Sequence, residues 1–191
     1  MKKEKNQEKL RKKQLCLMDY VERRLLRYTV AGGWAVDGIL GKVTRKHGNV
    51  DFMIHEIDVE NFKRILRRYD SGMEVKETGR SMMNIHAECG DLVADAIVMT
   101  PVVYGSAKKD YVIFETPYHS PFAPIPKDFL YGVSVELDGV DFCALNPTAM
   151  YFSKLASGNG TKAEIARDQA DARKLARFVD AKLRKKMRRY A

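Results

Sequence analysis

Apolar residues recur along this chain with two periods, and the alternation between them outlines the fold. Residues 5–27 place Leu15, Met18, Val21, Leu25 and Leu26 three and four positions apart, which predicts an amphipathic helix. A short strand is expected near 28–31 and stops at Gly32-Gly33, and Trp34–Leu40 reads as a brief helix that Gly41 ends. The segment 50–55, VDFMIH, alternates with period two. Val50, Phe52 and Ile54 therefore share a core-facing side, and Asp51, Met53 and His55 share the other. Asp58 is placed to cap a helix running through Tyr69, with Phe62, Ile65, Leu66 and Tyr69 on one face.

The next region reads as strands. Residues 73–78, 81–88 and 92–99 carry strand patterns, with Gly90-Asp91 turning the last two into a hairpin. Asp138-Gly139 predicts a second hairpin within 133–145. Pro117, Pro121, Pro124 and Pro126 between them mark an irregular loop. Asn146-Pro147 opens a helix that ends at Gly158-Asn159-Gly160. One long helix is expected from Lys162 to about Arg188, with Ala172, Leu175, Val179, Leu183 and Met187 as its stripe. Strands and helices mixed first, with helices last, indicate an α+β head over 1–145 and a helical segment over 146–191.

The 191 residues suffice for one core with a helical annex. No apolar run is long enough to span a membrane. The basic start lacks the apolar stretch of a leader peptide, so the chain is read as cytoplasmic. Cys16, Cys89 and Cys143 fit neither a disulfide framework nor a zinc knuckle and are expected as buried reduced thiols. The net charge of +9 sits at the ends, with +6 over 1–27 and +7 over 162–191, leaving −4 for the centre. Basic ends around an acidic centre suit a polyanion such as RNA, but two amphipathic helices with solvated Lys/Arg faces give the same distribution.

Glycines where a strand passes into a helix expose backbone N–H groups at the positive end of the helix dipole, an arrangement that binds phosphate; a tight turn uses the same residues. Asp51 and Asp95 each interrupt an apolar strand, which is costly unless the carboxylate is solvated, paired or bound to a cation. Two strand carboxylates beside a phosphate cradle would hold Mg²⁺ together with a nucleoside triphosphate. Asp37, near the start of its helix, suits the helix dipole as well as it suits a site.

The segment 32–54, GGWAVDGILGKVTRKHGNVDFMI, resembles the nucleotidyltransferase superfamily that includes the head domain of CCA-adding enzymes and poly(A) polymerases. It is most similar to the minimal branch of aminoglycoside and lincosamide nucleotidyltransferases. Gly32, Gly33, Trp34, Ala35, Asp37, Thr44, Arg45, His47 and Asp51 keep that branch's order and spacing. More loosely, the resemblance makes Asp95 the third carboxylate, Lys154 a nucleotide contact, and Arg167, Asp168 and Asp171 a Lys/Arg-Asp-x-x-Asp element. It implies a nucleotide site of Gly32, Gly33, Asp37, Arg45 and Lys154, and a metal held by Asp51 and Asp95. The implied reaction moves a nucleoside monophosphate from a nucleoside triphosphate to an acceptor hydroxyl on RNA or a small molecule.

One position departs from the pattern. Asn49 stands where the family has the first acid of its Asp-x-Asp pair, and an amide carries no charge and cannot act as a base. Two outcomes are therefore open: a transferase slowed by Asn49 in its catalytic set with Asp51 and Asp95, or an inactive nucleotide- or RNA-binding module on the same fold.

Overall fold

The computed structural model describes residues 2–25, 27–78, 84–99, 102–103, 111–113, 125–126, 132–156 and 160–187. Helix α1 (Lys2–Glu22) leads into β1 (Tyr28–Val30), α2 (Gly32–Leu40) and β2 (Val50–His55). A 3-10 turn over Glu56–Asp58 enters α3 (Val59–Tyr69), followed by β3 (Glu74–Thr78), β4 (Asn84–Cys89) and β5 (Leu92–Met99). After β6 (Val102–Val103), β7 (Tyr111–Ile113) and β8 (Ile125–Pro126) come β9 (Gly132–Leu137) and β10 (Val140–Leu145). Helices α4 (Pro147–Ala156), α5 (Lys162–Leu175) and α6 (Ala181–Met187) complete the described chain.

Seven strands form a mixed sheet in the order β3-β4-β5-β2-β1-β10-β9, and β6-β7-β8 make a small separate one. The expected α+β class is observed. Both hairpins form at the turns expected for them, with Cys89 facing Leu92 and Leu137 facing Val140. Strand β2 alternates between buried and half-buried residues, with Val50, Phe52 and Ile54 in the core. The Phe52 ring meets Phe62 of α3 edge-on at 5.3 Å, which places α3 over that face and leaves Asp51 on the opposite one. On α2, a side chain at Gly38 would collide with Val135 and Phe142 of the β9–β10 hairpin; this helix therefore lies close against the sheet. Helices α4 and α5 pack on each other and on α2.

Four expectations need correction. The first helix ends at Glu22, not near residue 27, and a tight turn follows in which Arg24 and Leu25 both donate to the Val21 carbonyl. Asp58 stands at the start of α3 but does not cap it; its carboxylate accepts from the Arg27 guanidinium at 2.9 and 3.3 Å. The cysteines are free thiols, as expected, but Cys16 is exposed and the other two are half-buried. The long final helix is broken. Val179 adopts an extended conformation (φ −114°, ψ 134°), and the Asp180 carboxylate accepts from the Lys182 and Leu183 amides to start α6 afresh. The apolar stripe runs on through the break because Val179 is buried there as well, so periodicity alone does not reveal it.

The expected Asn146 cap is present, with its side-chain oxygen accepting from the Thr148 amide at 2.8 Å. A full capping box of Thr161 and Glu164 starts α5. Leu26, residues 81–83 of the strand expected over 81–88, Pro117, Pro121, Pro124, Gly158-Asn159 and the side chain of Met187 lie outside the described residues, whereas Pro126, expected in an irregular loop, lies in β8 paired with Tyr111 of β7.

Replacing Asp180 with Ala removes the acceptor that starts α6. Amide exchange at Lys182 and Leu183 should accelerate about fivefold, equivalent to about 1 kcal/mol for a lost cap, while α5 keeps its protection. Hydrogen exchange read by NMR checks this.

Candidate active site

The site is built where β1 turns into α2. The Ala31 amide donates to the Asp51 carbonyl at 2.8 Å, tying the turn to the neighbouring strand. Gly32 then takes a left-handed conformation (φ +60°), which a residue with a side chain adopts only with strain. Space forbids a side chain there too, since a Cβ on Gly32 would lie 1.9 Å from Asp51 Oδ2. A Cβ on Gly33 would fall 2.1 Å from Arg45 Nη2 and 2.5 Å from His47 Nδ1. The glycine pair is therefore a close approach as well as a turn: a carboxylate lies on one glycine, a guanidinium and an imidazole on the next. The N–H groups of the first turn of α2 have no acceptor inside the helix and carry its positive partial charge.

Strands β2 and β5 run parallel, and their register sets Asp51 directly beside Asp95. Asn49, at the entry to β2, spans the pair. Its Nδ2 donates to Asp51 Oδ1 and to Asp95 Oδ2, both at 2.8 Å. The amide orientation follows from charge, because the carbonyl oxygen turned inward would face two carboxylates. Burial and the adjacent Asp95 push the Asp51 carboxyl above its ordinary range, against the pull of Lys154, Asn49 and Arg45. Across the hairpin, His86 Nδ1 lies 2.7 Å from Asp95 Oδ1, and this bond holds the imidazole pKa above its ordinary value.

The other sequence-predicted residues flank this pair in different ways. Asp37 is completely buried. It accepts from the Thr44 amide (3.0 Å), the Thr44 hydroxyl (2.6 Å) and His47 Nε2 (2.7 Å). Burial alone would raise its carboxyl pKa; the bonds from His47 and Thr44 outweigh that and hold it low. The ionised carboxylate only accepts, which fixes the His47 proton on Nε2. His47 is in turn stacked at 4.3 Å on the core indole of Trp34. This network folds the loop after α2 back on itself and carries Arg45 to the glycine turn.

Arg45 is only loosely paired, with Nη2 3.7 Å from Asp171 Oδ2. Lys154 Nζ bonds Asp168 Oδ1 at 2.7 Å, and both side chains are largely buried. The acids of α5 therefore serve the cations: Asp168 positions Lys154, while Asp171 stands between Arg45 and Lys174. Asp91 lies in the β4–β5 turn, paired with Lys13 at 2.5 Å.

His86 is the residue that sequence reasoning missed. A hairpin turning on Gly90-Asp91 pairs residues whose numbers add to 181, so position 86 had to face position 95.

The residues present fit a hard divalent cation. Two carboxylates each place an oxygen 2.8 Å from one shared point, and such an oxygen set suits Mg²⁺ that completes its shell with substrate phosphates. Among the described residues, no group of three or more His, Cys, Asp or Glu side chains converges as a metal site, consistent with an amide at position 49.

Comparison with known proteins supports the resemblance read from the Gly-Gly-Trp segment. The family model described as aminoglycoside-2''-adenylyltransferase matches residues 15–108. The fold is similar to that of ANT(2'')-Ia in complex with adenylyl-2''-tobramycin, with TM-score 0.60 and 19% identity over 92% of this chain and 95% of that one. Lincomycin-bound LnuA, a lincosamide antibiotic adenylyltransferase, matches with TM-score 0.60 and 16% identity over 88% and 97% of the two chains. An antigenic nucleotidyltransferase-like protein from Paracoccidioides brasiliensis matches more distantly, with TM-score 0.53 and 13% identity over 89% and 76%. No curated protein matches the sequence significantly.

Replacing Asp37 with Asn should cost about 2 kcal/mol, because a buried acceptor of three bonds loses its charge and presents an amide donor to other donors. A carboxyl held low in the folded state stabilises fully above the unfolded pKa of about 4 and loses that effect as the pH falls through its folded value. The gap in urea midpoint between wild type and D37N should therefore be full at pH 7 and narrow below about pH 4.

Proposed function

The chain has the nucleotidyltransferase fold in its minimal aminoglycoside/lincosamide form, and from that premise we propose that it transfers a nucleoside monophosphate from a nucleoside triphosphate to a hydroxyl of a small molecule. The observation that carries this reading is the register of Asp51 beside Asp95 under the glycine turn, with Arg45 and Lys154 close enough to act on the Asp51 carboxylate. Carboxylates for a cation and cations for phosphates thus meet at one helix N-terminus.

Each residue has a part in this reaction. The first amides of α2 and the Arg45 guanidinium bind the β- and γ-phosphates, and Lys154, held by Asp168, approaches from α4. Asp51 and Asp95 would hold Mg²⁺, which supplies charge neutralisation at the phosphates when bound. The acceptor oxygen attacks the α-phosphorus in line, the bond to the bridging oxygen breaks, and pyrophosphate leaves. Asn49 cannot take the hydroxyl proton, so that task falls to Asp95, whose other oxygen is oriented by His86.

A small-molecule acceptor is favoured over RNA. Tobramycin and lincomycin are the molecules named with the two antibiotic adenylyltransferases. Basic residues of α1 and of the turn after it are also engaged with acids, Arg11 with Asp138, Lys13 with Asp91 and Arg23 with Asp19. The cytoplasm, where nucleoside triphosphates are abundant, suits this chemistry. No helix among the described residues is long and apolar enough to cross a membrane. The second reading, a nucleotide-binding module without transfer, is favoured by Asn49 alone.

Pyrophosphate release, measured with ATP or GTP, Mg²⁺ and a panel of hydroxylated small molecules, separates the two readings. Transfer should appear with at least one acceptor and fall about 10²- to 10³-fold in D51N. Nucleotide binding without pyrophosphate release for any acceptor would support the binding module instead.

A further inference from the structure

The amide of Asn49 occupies the point that a cation shared by Asp51 and Asp95 would need. Both of its N–H bonds are used, one on each carboxylate at 2.8 Å. Hydrogen bonds to ionised acceptors are about twice as strong as neutral ones, and here two act from a single nitrogen. Without that donor, two acids in register on adjacent strands would face each other with no cation among the described residues bonded between them. Lys154 is turned to Asp168, and Arg45 lies over Gly33. His86 reaches the remaining oxygen of Asp95 but not Asp51.

We propose that Asn49 is a clasp: its side-chain amide stands in for the cation when the site is empty, and it must be displaced before a divalent ion binds. This deepens the nucleotidyl-transfer reading and rests on it for the identity of the displacing ion. Asn49 is thus a competitor of the metal and not one of its ligands. Replacing an acid by this amide alters the site twice: it removes one negative charge and adds a positive partial charge at the ion's own position. The site's affinity for free Mg²⁺ is set low, and occupancy becomes dependent on an ion arriving already paired with a triphosphate, whose oxygens add ligands that the chain lacks.

The two roles for Asn49 predict opposite results when the side chain is removed. Calorimetric titration of the full-length protein with Mg²⁺ and with Mn²⁺ at pH 8 should give about tenfold tighter binding in N49A than in wild type, because no amide has to be expelled. N49D should also bind more tightly. In the metal-free state N49A should melt below wild type, and saturating Mn²⁺ should close that difference. In wild type, the side-chain NH₂ resonances of Asn49 should be protected from exchange without metal and lose that protection once Mg²⁺ is raised to saturation. Weaker or unchanged ion binding in N49A, or Asn49 amide protons indifferent to saturating Mg²⁺, overturns the clasp. If N49A does not fold, the NH₂ resonances of wild type decide alone. Failure of the transfer reading looks different, since the clasp results would then hold while no acceptor yields pyrophosphate.

Discussion

Two carboxylates placed side by side in a sheet repel each other, and the arrangement around Asp51 and Asp95 answers that repulsion from every direction. The parallel register of β2 and β5 leaves neither acid free to move away along its strand. Asn49 bridges them, His86 binds the outer oxygen of Asp95, and Arg45 and Lys154 lower the potential at Asp51. Burial still prevails at Asp51, whose carboxyl stays above its ordinary range. A pair held in this state attracts positive charge, and on the proposed reading a divalent ion carrying a polyphosphate supplies it.

The rest of the chain maintains this pair and the surface opposite it. The Ala31 amide ties the glycine turn to Asp51 through the strand carbonyl, and the absence of a side chain at Gly32 lets the carboxylate lie on the backbone. Asp37, which could have been a ligand, is spent on architecture: its bonds to Thr44 and His47 shape the loop that delivers Arg45. The acids of α5 hold the cations in the same way, Asp168 on Lys154 and Asp171 between Arg45 and Lys174. Each cation near the glycine turn thus has a buried acid behind it, Asp168 in direct contact with Lys154 and Asp171 at a looser distance from Arg45.

Much of this was legible from local pattern. Period-two alternation set Asp51 opposite the core, the Gly-Gly pair marked the turn, and Asn146-Pro147 located the start of α4, because each signal lies within a few residues of its effect. What depends on distant pairing was not legible. Nothing local to Asp51 or Asp95 says that their strands run parallel and in register. The role of Asp37 required knowing that His47 is buried against Trp34. The break at Val179 was hidden because that residue continues the apolar stripe in either conformation. His86 was within reach, since the hairpin turn alone fixes its partner.

The central claim is that a divalent ion and a triphosphate meet between the first amides of α2 and the acids of β2 and β5. Paramagnetic line broadening in ¹⁵N-labelled protein, read as Mn²⁺ is added with a non-hydrolysable nucleoside triphosphate, tests it most directly. The amides of Gly32, Gly33, Asp51 and Asp95 should broaden first and together, with the α6 end of the chain unaffected. Broadening centred elsewhere, or spread evenly over the acidic surface, would contradict the account.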